Sequence, residues 1–130
     1  LVQPRYVGGR LMLRRRGYVL EPHLDPSRVL MTGLIYLPRP GDNEAYGTSL
    51  YRMSDRPKID RTKTVYPKAQ GIDCELVRTV PFQANSALVF LNAGAAHGAA
   101  IPRDAPPDTL RYAYQFYLTL DSEVSEGSGR

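Results

Sequence analysis

Cysteine is nearly missing from this chain: Cys74 is the single one in 130 residues. One thiol closes no intramolecular disulfide, which fits a protein of a reducing compartment. Tryptophan is absent and histidine is scarce, with only His23 and His97. Long apolar runs are missing as well. No stretch of about 18 apolar residues is present to cross a membrane as a helix. The opening "LVQPRYVGG" lacks the apolar core of a signal peptide. A cytoplasmic location is therefore expected. The chain opens on Leu rather than Met, as a processed, truncated or partial sequence does.

Helical patterning is also scarce. No segment keeps an i, i+3, i+4, i+7 apolar pattern for more than about two turns. What recurs instead is short runs of Val, Leu, Ile, Tyr and Phe bounded by Pro, Gly, Asn and Asp, with eleven glycines and eleven prolines along the chain (Gly 11, Pro 11). Strands are predicted at 10–15, 17–23, 29–37, 48–52, 74–80, 87–91, 97–101 and 111–120. Eight short strands with turns between them predict an all-β sandwich or jelly roll. One domain is expected over residues 1–120, followed by a disordered tail at 121–130, "DSEVSEGSGR", which has almost nothing apolar to bury. Residues 52–71 are charged and weakly patterned, and predict a mobile flap with one short strand around Thr64 to Tyr66.

The net charge is +4, with Lys and Arg concentrated at Arg10 to Arg16 and Arg52 to Lys68. Such a balance favours anionic ligands. The basic residues are not interleaved with aromatics as in a nucleic-acid reader, and neither a nucleic-acid nor a membrane partner is signalled. Arg14, Arg15 and Arg16 alternate faces on a strand; a solvated edge strand carrying charge against mispairing is the expected role.

The two histidines carry the chemical question. His23 stands two residues before Asp25, and on a strand both side chains reach the same side. His97 follows the apolar strand Ala87 to Leu91 among small residues, and Arg111 opens the aromatic strand "RYAYQFYLTL". Two imidazoles and one carboxylate can occupy one face of a divalent iron and leave its other positions open. Taken alone, His-x-Asp is a weak signal that composition produces by chance.

Five separated segments, "PHLD", "MTGLIYLP", "GTSLYR", "NSALVFLNAGAAHGAAIP" and "RYAYQFYL", occur in an order that resembles the iron(II), 2-oxoglutarate-dependent oxygenases. The prolyl 4-hydroxylase-like branch is the most similar, and the resemblance spans roughly residues 10 to 120. It implies a double-stranded β-helix with Fe(II) held by His23, Asp25 and His97. It also implies 2-oxoglutarate as co-substrate, with Arg111 on its distal carboxylate, Tyr36 adding a hydroxyl to the same group and Leu50 forming an apolar wall. Arg103, in the Pro-rich turn, competes with Arg111 for that role, while Leu34 and Tyr18 are further candidates to line the cavity. The implied reaction is hydroxylation of a small-molecule or peptide substrate with release of succinate and CO2. Asp25 at the carboxylate position disfavours halogenating variants. Family members carry supporting elements before the core strands, and these are nearly absent here. Two alternatives stay open: a cupin-like metal enzyme without the co-substrate, and a non-enzymatic jelly-roll binding module.

Overall fold

A computed structural model describes residues 6–92 and 94–120 of the chain. The predicted tail at 121–130 lies outside them. Eight strands form: β1 (Tyr6–Arg15), β2 (Val19–His23), β3 (Val29–Tyr36), β4 (Thr48–Met53), β5 (Cys74–Val80), β6 (Ala87–Leu91), β7 (Ala96–Ala100) and β8 (Leu110–Thr119). They pair into two four-stranded sheets, in the orders β1-β8-β3-β6 and β2-β7-β4-β5, and every pairing is antiparallel. This is the jelly roll expected from the strand pattern, in the double-stranded β-helix form that the family resemblance implied. Among the described residues no helix is long and apolar enough to cross a membrane.

Alternation decides which residues face the interior. On β8, Arg111, Ala113, Gln115, Tyr117 and Thr119 share one face, and the odd-one-out residues between them share the other. The inner rows are set by register: Met12 lies across from Ala113, and Ala113 across from Tyr36. One core cluster forms there, from Leu34, Tyr36, Phe82 and Ala113 with Met12, Val80 and Leu88 against it. A second, under the other sheet, joins Leu24, Val65 and Ala96 with Tyr51 and Met53.

Residues 52–71 are more firmly held than a mobile flap. Leu24 and Val65 form an isolated antiparallel bridge with both backbone hydrogen bonds, at 2.8 and 3.0 Å. Ser27 N–H donates to the Asp60 carbonyl, and the side chain of Gln70 closes two bonds with the backbone of Lys58. The anchor is the buried Val65, an apolar side chain that its charged surroundings hide in the sequence. The short strand expected around Thr64 to Tyr66 is reduced to that bridge, with a 3-10 turn at Pro67–Gln70 after it.

Candidate metal centre

Cross-strand pairing assembles the centre. β2 runs antiparallel to β7, and after an irregularity between Leu20 and His23 the register sets His23 directly opposite His97. Directly opposed residues stand on the same face of a sheet. The imidazole centroids are accordingly 4.2 Å apart. Gly98, next along β7, permits the close approach of β2: a Cβ there would lie 2.5 Å from the Leu20 carbonyl oxygen. Asp25 follows β2 by two residues and brings its carboxylate between the rings. Its Oδ1 is 3.7 Å from Nε2 of His23 and 3.7 Å from Nε2 of His97.

Each donor is oriented by a neighbour. His23 Nδ1 lies 2.9 Å from the Glu21 carbonyl oxygen. A carbonyl only accepts, so Nδ1 carries the hydrogen and the Nε2 lone pair faces the centre. Thr32 donates its hydroxyl to Asp25 Oδ2 at 2.5 Å and leaves Oδ1 toward the imidazoles. The backbone behind Asp25 is tied by Asn92, whose Nδ2 reaches the carbonyls of Asp25, Pro26 and Val29 at 2.9 to 3.1 Å. His97 packs on Phe90, at 4.6 Å between centroids, and its Nδ1 is buried with no partner among the described residues.

Protonation suits a ligand set. Burial, reinforced by repulsion from His23 and opposed by Asp25, brings His97 down to about 4, so its ring is neutral at pH 7. Burial works to raise the Asp25 carboxyl, but the His23 and His97 rings and the Thr32 hydroxyl outweigh it and hold the group below its ordinary value. A neutral His97 imidazole beside a carboxylate suits a divalent ion, which binds deprotonated donors. Three donor atoms lie within 4.8 Å of one another. Two metal bonds of about 2.1 Å meeting at 90–120° set donors roughly 3–3.6 Å apart, so the 3.7 Å separations fit a shared ion with a small inward movement. They are too long for direct hydrogen bonds. The chemistry of the set, two nitrogens and one oxygen, matches the facial arrangement of non-haem iron.

The triad opens into a cavity of about 310 Å³ that Arg111 also lines. Arg111 is only 4% exposed. Its Nε donates to the Tyr46 carbonyl at 2.6 Å and an Nη to that of Gly47 at 3.5 Å. The rings of Phe82 and Tyr36 flank the guanidinium, at 5.4 and 5.8 Å. Burial lowers its pKa, yet an arginine remains a cation under such conditions. Arg103, the competitor, is exposed in the turn after β7 and does not line the cavity.

The remaining sequence candidates divide. Leu34 and Tyr18 line the cavity as expected. Tyr36 does not: it is fully buried and donates its hydroxyl to Thr48 Oγ1 at 2.8 Å, and Thr48 is the residue that lines the cavity. Burial pushes the Tyr36 phenol up, so it stays protonated and remains a donor. Leu50 pairs across from His97 but lines a separate, open depression with Met53, Arg56 and Val77 instead of the cavity wall. The irregularity of β4 between Leu50 and Tyr51 breaks the simple alternation there. Thr32, Thr48 and Asn92 went unread in the sequence, since Thr is an ordinary strand residue and Asn an ordinary turn residue. Arg14 was expected on a solvated edge. β1 is indeed an edge strand, but Arg10, Met12 and Arg14 face inward and line the cavity, while Arg15 is exposed.

No family model matches the chain, and no curated protein matches its sequence. Among solved structures, it is similar to the crystal structure of a Pseudomonas putida prolyl-4-hydroxylase, with a TM-score of 0.52 and 18% identity. The match covers 92% of this chain and 54% of that one, so the chain spans about half the length of the structure it resembles. The likeness shows the fold, a double-stranded β-helix, and this chain's own residues place the His-x-Asp…His triad in it.

Proposed function

We propose that the chain is the core of an iron(II)- and 2-oxoglutarate-dependent oxygenase that hydroxylates a small-molecule or peptide substrate, releasing succinate and CO2. The observation that carries this reading is the convergence of His23 Nε2, His97 Nε2 and Asp25 Oδ1 in one cavity with the buried Arg111. The three donors would hold the ion on one face and leave the opposite face to ligands from the cavity. Bound iron would supply oxygen activation, chemistry that no side chain here performs.

The protein's share is orientation and charge. Arg111 offers its remaining N–H groups to the distal carboxylate of the co-substrate, held in place by the Tyr46 and Gly47 carbonyls and two aromatic rings. Thr48 adds a hydroxyl to the cavity wall, its own orientation set by the Tyr36 phenol. Tyr66, beside His23 with ring centroids 5.9 Å apart, lines the cavity and is part exposed, which places it at the mouth.

The test is spectroscopic. Under nitrogen, Fe(II) with 2-oxoglutarate gives the weak visible charge-transfer band of the chelate in the wild-type protein, and His97→Ala abolishes it. A wild-type protein that shows no band sinks the reading.

A further inference from the structure

The metal cavity carries more positive charge than the proposed reaction uses. Among the described residues that line it, Arg10, Arg14, Arg28 and Arg111 are cationic and Asp25 is the sole carboxylate. A divalent ion, Asp25 and one carboxylate of 2-oxoglutarate sum to zero. The other carboxylate balances Arg111. Arg28 has interactions of its own. Arg10 and Arg14, both on β1, are left facing the cavity with no opposite charge among the described residues.

Arg14 is the more demanding of the two. It stands directly across from Arg111 in the β1–β8 register, so like charges share one row of the sheet, an arrangement that costs stability unless an anion joins them. Its contacts are poor. One Nη reaches the Leu13 carbonyl at 3.3 Å, the other the Met12 sulfur at 3.9 Å, and Nε is buried with no partner among the described residues. The guanidinium lies 4.9 Å over the Tyr18 ring, which orients it without neutralising it. Arg10 lies on the same face, two rows closer to the Thr32 end of the cavity. Its Nε donates to Gln115 Oε1 at 3.3 Å, an oxygen that also accepts from the Tyr117 hydroxyl at 2.9 Å. Arg10 is exposed, so it stands where a ligand enters.

We propose that Arg14 and Arg10 bind an oxyanion of the substrate to be oxidised, so that the substrate class is a carboxylate- or phosphate-bearing molecule. This rests on the oxygenase reading for its account of Arg111 and Asp25. β1 then does two things: it closes the sheet against β8, and its inner face selects the substrate by charge. A part-buried guanidinium whose buried Nε has an unmet donor is costly, and an oxyanion satisfies donor and charge together.

The experiment uses the full chain under nitrogen with saturating Fe(II) and 2-oxoglutarate, which fill the metal and Arg111 positions. Benzoate, phenyl phosphate and neutral benzamide are titrated by calorimetry, and the two anions separate a carboxylate site from a phosphate site. At least one anion binds and benzamide does not; Arg14→Met and Arg10→Met each weaken the anion about ten-fold or more. Co-substrate affinity stays within about three-fold in both variants. Arg14→Met also melts at a higher temperature than wild type without ligands, because it removes one of two like charges in a row. The exposed Arg10→Met carries the test if Arg14→Met does not fold. The proposal is overturned by equal binding of benzamide, by no anion binding, or by variants that bind as wild type does. It is overturned as well if Arg14→Met loses 2-oxoglutarate as severely as Arg111→Met, since Arg14 would then serve the co-substrate. A repeat without Fe(II) and 2-oxoglutarate separates the two readings: anion binding lost in Arg14→Met, in a protein that gives no charge-transfer band, removes the oxygenase and keeps the anion site.

Discussion

Thr32 is the smallest side chain on which the centre depends. Its hydroxyl is buried and donates to the one Asp25 oxygen that does not face the imidazoles. Replacing it by Val keeps shape and strand preference but leaves the carboxylate free to rotate. Partners that orient a ligand typically matter by about 10–100-fold in metal affinity. Thr32→Val is therefore expected to weaken Fe(II) binding by that order in an anaerobic titration, and an unchanged affinity would remove Thr32 from the centre. Arg111 is tested through the co-substrate. A charge-assisted bond contributes about 1.5–3 kcal/mol and breaking a buried pair costs about 3–5 kcal/mol. Arg111→Ala should then lower 2-oxoglutarate affinity by roughly two to three orders of magnitude, followed by loss of the charge-transfer band at fixed co-substrate. At this scale the candidate ligands were legible and their supports were not. His and Asp announce themselves by chemistry, and it was the order of five separated segments, not the weak His-x-Asp alone, that picked them out. Thr32 and Thr48 differ from any strand threonine only in what lies across from them, which is a property of register.

The strands followed the text closely, because apolar runs bounded by turn residues leave little freedom in where pairing can start. β5 and β6 coincide with their predicted spans, Cys74–Val80 and Ala87–Leu91. β1 begins earlier than predicted, at Tyr6 rather than residue 10. Gly8 and Gly9, weak strand formers outside the predicted span, pair with Tyr117 and Phe116, and at Gly9 the missing Cβ makes room for the Tyr114 side chain. Residues 52–71 misled in the other direction, since one buried valine anchors a segment that composition presents as loose. Val65 packs with Leu24 and Ala96, and Leu24 stands between His23 and Asp25 of the triad. Truncation to Ala removes about two buried methyl groups and should cost on the order of 1–2 kcal/mol. The bridge to Leu24 then opens more often, as local unfolding requires. Trypsin is expected to cut Val65→Ala several-fold faster than wild type around Arg56 to Lys63, with Fe(II) affinity falling less than in Thr32→Val. Equal digestion rates would mean that Gln70 and Ser27, not Val65, hold the segment.

On the scale of the molecule, the two faces of the β1-β8-β3-β6 sheet differ sharply. The inner face carries the cavity. The outer face is built of apolar rows set by register: Val7, Leu118, Met31 and Leu91 in one, Leu11, Tyr114, Ile35 and Ala87 in another, with Phe116 between Gly9 and Gly33 in the row that separates them. Much of it is open: Val7 is 72% exposed, Leu91 69%, Leu11 63% and Val89 50%. Antiparallel sheets commonly turn a polar face to water, and a contiguous apolar patch of this kind is a contact surface or an association hazard. The physical consequence is independent of the chemistry inside. The 130-residue chain is expected to self-associate with rising concentration, measured by sedimentation velocity. Charge placed at the centre of the face should suppress this, since a desolvated lysine opposes contact whatever the partner surface. Leu11→Lys combined with Val89→Lys is therefore expected to sediment as a monomer. Neither side chain contributes to either core cluster, so Fe(II) affinity should stay as in wild type. A wild-type chain that remains monomeric at high concentration would show that the face is tolerated in water, and a double variant that still associates would move the contact to another surface.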